Sequence, residues 1–272
     1  MSVFAIARLE LLIARRNLWV TIAVMVMVLF DIVLTFAGDA PTGILGVNPL
    51  TIALTSITTL SVYLIPLIAL LLSFDAISGE RERGTLTLSL SYPLSRLEIL
   101  IGKFIAHFSV LAIAIGIGLC LTATLVTFKH GAEHLALAPL FKLYVTSLAL
   151  GSCFLGLGYA ISITVRQSGA ASGIAIALWL VCVVLYDLAL LGALVFDEAG
   201  YFTKSVFPWL LVSNPADAFR LINTPFTDGG MIGSGVSSAS HAIGLVGQVV
   251  SLALWPLIAL SISSFFFKRM EP

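Results

Sequence analysis

The chain alternates between long apolar runs and short polar connections. Six runs are long enough to cross a lipid bilayer, which takes about 20 residues. In chain order they are Leu18–Ala37, Thr51–Phe74, Phe104–Phe128, Leu140–Val165, Ala171–Phe196 and Ile243–Phe267. The pattern predicts an all-α polytopic membrane protein whose six transmembrane helices form one domain, residues 1–272.

The composition agrees with this class. Hydrophobic residues make up 59% of the 272 residues, charged residues only 10%, and the mean hydropathy is +1.09. Soluble domains contain about 45–50% apolar and about 25% charged residues. The net charge is zero and no basic face is visible, which excludes a nucleic-acid-binding protein.

The basic residues predict the orientation, because Lys and Arg collect on the cytoplasmic side of membrane proteins. With the N-terminus inside, ten of them fall on that side: Arg8, Arg15, Arg16, Arg81, Arg83, Arg96, Lys103, Arg166, Lys268 and Arg269. Four remain outside: Lys129, Lys142, Lys204 and Arg220. We therefore expect both termini to be cytoplasmic.

Residues 1–17 precede the first span and carry arginines among apolar positions. They predict an interfacial helix on the inner surface of the membrane. A basic flank to the first span, without a helix of its own, is the alternative.

Two connections are longer than the rest: the cytoplasmic residues 75–103 and the outer residues 197–242. Connections of such length are usually functional or disordered. The outer one contains Trp209 and the glycine- and serine-rich stretch Asp228–Ser240, and we expect it to contact another protein.

The cytoplasmic connection includes the stretch GERERGTLTLSLSYPLSR, residues 79–96, with four consecutive charges. Pro93 interrupts any continuous helix. Ser95 and Glu98 have the spacing of a capping box, which predicts a helix start. A short helix lying along the membrane would be a good docking element for another protein. An ordinary basic loop is the alternative.

The stretch GERERGTLTLSLSYPLSRLEILIGK, residues 79–103, resembles the signature of ABC-2-type transporter permeases, with its Glu-x-Glu-x-Gly-Thr-Leu run, Pro-x-Ser-Arg turn and closing Gly-Lys. The six-span layout agrees over the whole chain. Residues 63–86, YLIPLIALLLSFDAISGERERGTL, together with LSYPLSR are further similar to the permeases of copper-processing transporters that mature nitrous oxide reductase.

The resemblance implies a homodimer in the bacterial or archaeal cytoplasmic (inner) membrane, paired with two separate ABC ATPase subunits. The segment that would contact the ATPase matches Glu80, Arg81, Glu82, Arg83, Gly84 and Thr85. The chain has no G-x-x-x-x-G-K-[ST] phosphate loop, so ATP and Mg would be bound by the ATPase. We expect no cofactor and no catalytic activity in this chain.

The function that the resemblance implies is to couple ATP hydrolysis by the separate subunit to transport, or to periplasmic maturation of nitrous oxide reductase. A periplasmic partner protein would then bind the outer loops. One alternative is an ABC-2 permease exporting a lipid, glycan, drug or peptide. The other is a channel or secondary transporter that needs no ATPase.

Two carboxylates, Asp31 and Asp187, lie deep in apolar spans at similar depth. Charges inside the membrane are costly and mark functional pathways. The functional interpretation is a shared polar pathway or gate, facing the interior of a dimer. The alternative is that each pairs locally or reaches outward, with Lys142 as one partner.

His130 and His134 have a spacing that would allow both to bind one metal ion. No third ligand lies nearby in the sequence, so we expect two solvated histidines and no metal site. Small residues four apart predict close helix packing within the subunit: Ser147 and Gly151, Ser152 and Gly156, and Gly169 and Gly173.

Overall fold

The computed structural model describes residues 3–16, 18–37, 49–91, 95–132, 135–197, 200–223 and 234–270. Within these ranges the regular structure is entirely helical. The α-helices are α1 Val3–Arg16, α2 Leu18–Ala37, α3 Pro49–Ser73, α4 Ser78–Glu82, α5 Leu86–Ser91, α6 Arg96–His130, α7 Leu137–Thr164, α8 Ser168–Trp179, α9 Tyr186–Val195, α10 Phe207–Ser213, α11 Pro215–Asn223 and α12 Ser234–Arg269.

Five helical stretches are long and apolar enough to cross a membrane, judged by length and composition. They are Leu50–Glu82, Arg96–His130, Leu137–Thr164, Ser168–Val195 and Ile243–Arg269. A shorter apolar helix, Thr21–Phe36, corresponds to the first predicted span. The prediction of an all-α polytopic membrane protein is confirmed.

Helix α7 lies at the centre of the bundle and packs against α3, α6, α11 and α12. Two of its glycines allow this close approach. A Cβ at Gly156 would lie 2.7 Å from the Cβ of Ala259, and one at Gly151 would overlap Leu111. These two small-residue pairs therefore pack within the subunit, as expected. Gly169 and Gly173 of α8 have no described atom near the Cβ position, so they do not pack in this way.

Helix α6 begins at Arg96, eight residues before the predicted span. The Ser95 side chain accepts a hydrogen bond from the Glu98 amide, and the Glu98 carboxylate accepts one from the Ser95 amide at 2.7 Å. This is the predicted capping box, and it fixes where the helix starts. The preceding residues, 92–94, lie outside the described part of the chain.

Helix α1 forms as predicted and packs along α6, where its Ile6 side chain lies against Gly102. Large apolar side chains of α1, including Phe4 and Leu9, are exposed. An exposed apolar face is what an interfacial helix requires. Its location at the membrane surface stays a prediction.

The connection after the fifth span is not a simple outer loop. Residues 207–213 and 215–223 form α10 and α11, and α11 is buried against α3, α7 and α12. Its Phe219 is fully buried in the main core. Pro208 and Pro215 lie in the first turns, where a missing N–H is tolerated. For Asp228–Ser240, residues 228–233 lie outside the described residues, and the rest is described only as helical backbone.

Candidate functional site

The charged connection folds back onto the ends of α6, α7 and α8. After α3 the chain turns through residues 74–77 into the short helix α4. Both Ile77 and Ser78 donate their amide N–H groups to the hydroxyl of Ser162, each at 2.9 Å. Ser162 belongs to the last turn of α7. The central helix therefore holds the start of the charged connection by two hydrogen bonds.

Lys103 of α6 forms the buried centre of this region. Its side chain is only 4% exposed, and Nζ lies 2.8 Å from Oε1 of Glu80. The same ammonium donates to the carboxylate of Glu10 in α1. The second oxygen of Glu80, Oε2, is buried and has no hydrogen-bond partner. Glu80 therefore points into the protein, and Lys103 joins α1, α4 and α6.

A second polar group connects α4 to the start of α8. The Glu82 carboxylate accepts a hydrogen bond at 3.0 Å from the amide of Ser168, an N–H that has no partner within the helix. The Ser168 hydroxyl donates to Asp75. A Cβ at Gly79 would overlap the Asp75 carboxylate, so the carboxylate can occupy this position only while residue 79 is glycine. The connection is thus fixed to α8 as well as to α7.

The outer edge of the connection consists of the exposed residues Glu82, Arg83, Gly84 and Thr85. The Arg83 side chain is 62% exposed, and its nearest carboxylate oxygen, on Asp75, is 3.8 Å away. An exposed pair at that distance contributes little to stability. Gly84 has φ +70°, a conformation that favours glycine, and it ends the helical turn before α5.

Of the six residues predicted to contact an ATPase, these four lie on the surface. Glu80 lies inside, Arg81 is half-buried, and both connect to other parts of the chain. Leu86 is buried. The structure thus divides the predicted contact into an exposed edge, which a partner can reach, and an inner part, which holds that edge in place.

Sequence reasoning did not single out the inner partners of this segment: Glu10, His107, Tyr159 and Ser162. The buried Tyr159 hydroxyl lies 2.7 Å from Nδ1 of His107, one turn along α6 from Lys103. The sequence did contain one indication of these partners, since Glu10, Lys103 and His107 are polar residues among apolar neighbours. Such groups need partners when they are buried.

The two intramembrane carboxylates have different surroundings. Oδ2 of Asp187 lies 2.8 Å from Arg220, and Arg220 also lies 2.9 Å from Asp217. Asp187 is therefore paired locally, but with Arg220 and not with Lys142. Asp31 is buried against Gly118 of α6, and it makes no ion pair with any described residue. A pathway shared by the two carboxylates stays a prediction.

No group of three or more His, Cys, Asp or Glu side chains that could hold a metal ion occurs among the described residues. His130 ends α6, whereas His134 lies outside the described part of the chain. The expectation for these two histidines stays a prediction.

Comparison with known proteins covers almost the whole chain. Residues 4–271 match the family described as ABC-2 family transporter protein. The chain is 38% identical over 270 residues to the "Probable ABC transporter permease protein NosY" of Pseudomonas aeruginosa. It is 36% identical over 272 residues to the protein of the same name from Stutzerimonas stutzeri. In both cases 98% of each chain is covered.

Proposed function

The chain belongs to the ABC-2 family of transporter proteins as the permease of an ABC transporter, and we propose that this transporter serves the maturation of nitrous oxide reductase. The observation that carries the proposal is similarity at 38% and 36% identity, over nearly the full length, to two proteins named NosY. The resemblance of residues 63–86 and LSYPLSR to permeases of such transporters lies within this aligned region and agrees with it.

In this proposal a separate ATPase binds the exposed edge formed by Glu82, Arg83, Gly84 and Thr85. The edge carries charges of both signs and lies between α4 and α5. Charge-assisted hydrogen bonds would fix the position of a partner on it. The inner residues Glu80 and Lys103 would then transmit the movement of the edge to α1 and α6, because they are ion-paired beneath it.

We propose that two copies of the chain pair with two ATPase subunits, which bind the ATP and Mg. The charged edge then lies on the cytoplasmic side of the inner membrane, together with both termini. The spans Ser168–Val195 and Ile243–Arg269 have room for a second copy, since only 17% of the apolar window of each is buried within one chain. Lipid or a second copy must cover the rest.

A periplasmic partner protein is the third component of the proposal. The sequence predicts that residues 197–242 hold it, but most of α11 is buried, seven of its nine residues. Among the described residues of this connection, Tyr201 and Trp209 have exposed aromatic side chains, at 72% and 69% exposure. Exposed aromatic residues are common anchors in protein interfaces. We therefore assign the contact to the part of the connection around these two residues.

Complementation tests the proposal. The chain and its own ATPase would be produced in a Stutzerimonas stutzeri strain from which NosY has been deleted, and consumption of nitrous oxide would be measured. We expect consumption to be restored, and copper to be present in the purified nitrous oxide reductase. A chain carrying Lys268→Met serves as the matched control, because it removes an exposed cation in the last turn of α12. This variant should restore nitrous oxide consumption equally.

The result that overturns the proposal is equally specific. If the chain reaches the membrane and retains its ATPase, yet nitrous oxide is not consumed, the transporter serves another substrate. Export of a lipid, glycan, drug or peptide would then be the function to test. If the chain reaches the membrane and retains no ATPase, an ATPase-independent channel or secondary transporter becomes the better description.

A further inference from the structure

Polar contacts at both ends of helix α11 hold it against the fifth span, Ser168–Val195. At its start, the Asn214 side chain donates to the carbonyl of Cys182 at 2.7 Å and accepts from the amide of Ala216 at 3.0 Å. Cys182 lies in a π-helical turn, residues 180–185, where the regular backbone bonding is interrupted. At the other end, Arg220 bonds Asp187 of α9.

Arg220 holds two carboxylates at once. Its Nη2 lies 2.8 Å from Oδ2 of Asp187, and its Nη1 lies 2.9 Å from Oδ1 of Asp217. The Asp217 side chain is only 1% exposed, and its Oδ2 is buried without a hydrogen-bond partner. Asp187 and Asp217 therefore both bond the same guanidinium, through different nitrogens. Two ionised carboxylates beside one cation are both acceptors, so neither can donate to the buried Oδ2.

The charge balance of this cluster requires one more positive charge. Two carboxylates and one guanidinium leave a net charge of −1 in a largely buried site. The facing titratable groups are Asp187 from α9, Arg220 from α11 and Tyr63 from α3. In the described part of the chain, Lys142 of α7 makes no ion pair with the cluster. One proton would make the cluster neutral and give the unpartnered oxygen a hydrogen.

We propose that Asp187 and Asp217 form a proton-binding site around Arg220, and that the bound proton keeps α11 docked against the fifth span. Burial and the neighbouring Asp187 raise the pKa of Asp217 to about 8, while Arg220 opposes the shift, which supports the assignment of the proton to Asp217. The Arg220 side chain is 34% exposed, so the proton can exchange with solvent.

Loss of the proton has a structural consequence in this arrangement. An ionised Asp217 would face Asp187 with like charge, and Oδ2 would remain buried without a donor. This repulsion would act directly beside the Arg220–Asp187 bond that holds α11 to α9, whereas the bonds of Asn214 at the start of the helix would be unaffected. We therefore expect α11 to loosen from α9 as the pH rises past about 8. This inference concerns the permease alone and holds whatever the transporter carries.

Infrared spectroscopy on the full chain, reconstituted in lipid nanodiscs, tests the proton directly. The carbonyl stretch of a protonated carboxyl group should be present at pH 6 and lost at pH 10. Asp31 is a second buried carboxylate that can contribute to this band. Asp217→Asn should therefore remove one pH-dependent component of the band, and Asp31→Asn should retain that component. A pH-dependent band that is unchanged in Asp217→Asn overturns the proposal.

Hydrogen–deuterium exchange tests the docking. At pH 9 the amides of α11 should exchange faster in the wild-type chain than in Asp217→Asn, since Asn reproduces the neutral form. The difference should shrink as the pH falls and vanish near pH 4. Equal exchange at pH 9 would contradict a role of the proton in docking. Because Asn keeps the shape and neutrality of the protonated side chain, failure of Asp217→Asn to fold would also contradict the proposal.

Discussion

The ammonium group of Lys103 lies 2.8 Å from Oε1 of Glu80, in a site where the lysine side chain is only 4% exposed. The two residues are 23 positions apart, on α6 and α4. The lysine also bonds Glu10 of α1, so three separate helices meet at one buried charge. Helix α4 is therefore linked directly to α1 and α6 by the ion-paired side chains of Glu80, Lys103 and Glu10.

Replacing Lys103 by Met should destabilise the permease. The change leaves Glu10 and Glu80 buried without their cation, and breaking a buried ion pair in this way costs about 3–5 kcal/mol. Thermal unfolding of the purified chain measures the effect, with Lys268→Met as the control at an exposed lysine. A triple variant that also carries Glu10→Gln and Glu80→Gln should regain much of the loss, because no uncompensated charge remains. An unaltered melting temperature for Lys103→Met would contradict the buried network.

Charge reversal should have different effects at the exposed edge and beneath it. Arg83→Glu should reduce capture of the ATPase subunit while the melting temperature of the permease stays the same, since Arg83 is 62% exposed. Glu80→Lys should instead lower the melting temperature of the permease alone, because it places a second cation beside Lys103. Co-purification and thermal unfolding distinguish the two. Full capture by Arg83→Glu would remove this residue from the contact.

Two glycine-to-alanine changes, one at a crowded and one at an open position, test how closely the helices pack. Gly156→Ala in α7 places a Cβ 2.7 Å from that of Ala259 and 3.3 Å from the backbone of the same residue, so α12 must move. Such overpacking typically costs about 1–3 kcal/mol. Gly173→Ala in α8 meets nothing within 4 Å and should be neutral or slightly stabilising. Equal melting temperatures for the two variants would contradict the close approach of α7 and α12.

The pH dependence of stability should change when Asp217 is replaced. The folded-state pKa of Asp217 is raised from 3.8 to about 8, so its contribution is fully present below about pH 4 and is lost as the pH rises toward 8. Relative to Asp217→Asn, the wild-type chain should lose up to about 1.4 kcal/mol per pH unit within this window. Melting temperatures of both chains at pH 5, 7 and 9 measure the difference. A constant difference would mean that Asp217 has an ordinary pKa.

The sequence alone determined the class of the protein and most of its helices. Runs of about 20 apolar residues can be satisfied in a bilayer only as helices, because every backbone polar group must then be bonded within the segment. The start of α6 was predictable for a similar reason. The capping box is formed by Ser95 and Glu98, which are only three residues apart. It can therefore be recognised from the local sequence alone.

The segment from 197 to 223 shows where local patterns fail. It is too polar and too short in its apolar parts to predict a span, and its length predicts a loop. The structure places α11 in the core because Phe219 and its neighbours fill space between α3, α7 and α12. That space exists only after three helices from distant parts of the chain have assembled.

The partners of the charged residues were decided by tertiary structure alone. The sequence located the cluster of charges at 80–83, but it could not indicate that Glu80 faces inward to Lys103 while Arg83 faces outward. It placed Asp187 in a span, yet its cation is Arg220, 33 residues away. Each partner depends on the rotation and depth of two packed helices. Hydrophobic patterns determine the rotation and depth of a helix only approximately. A charge-assisted hydrogen bond forms only when its two atoms are placed to within a fraction of an ångström.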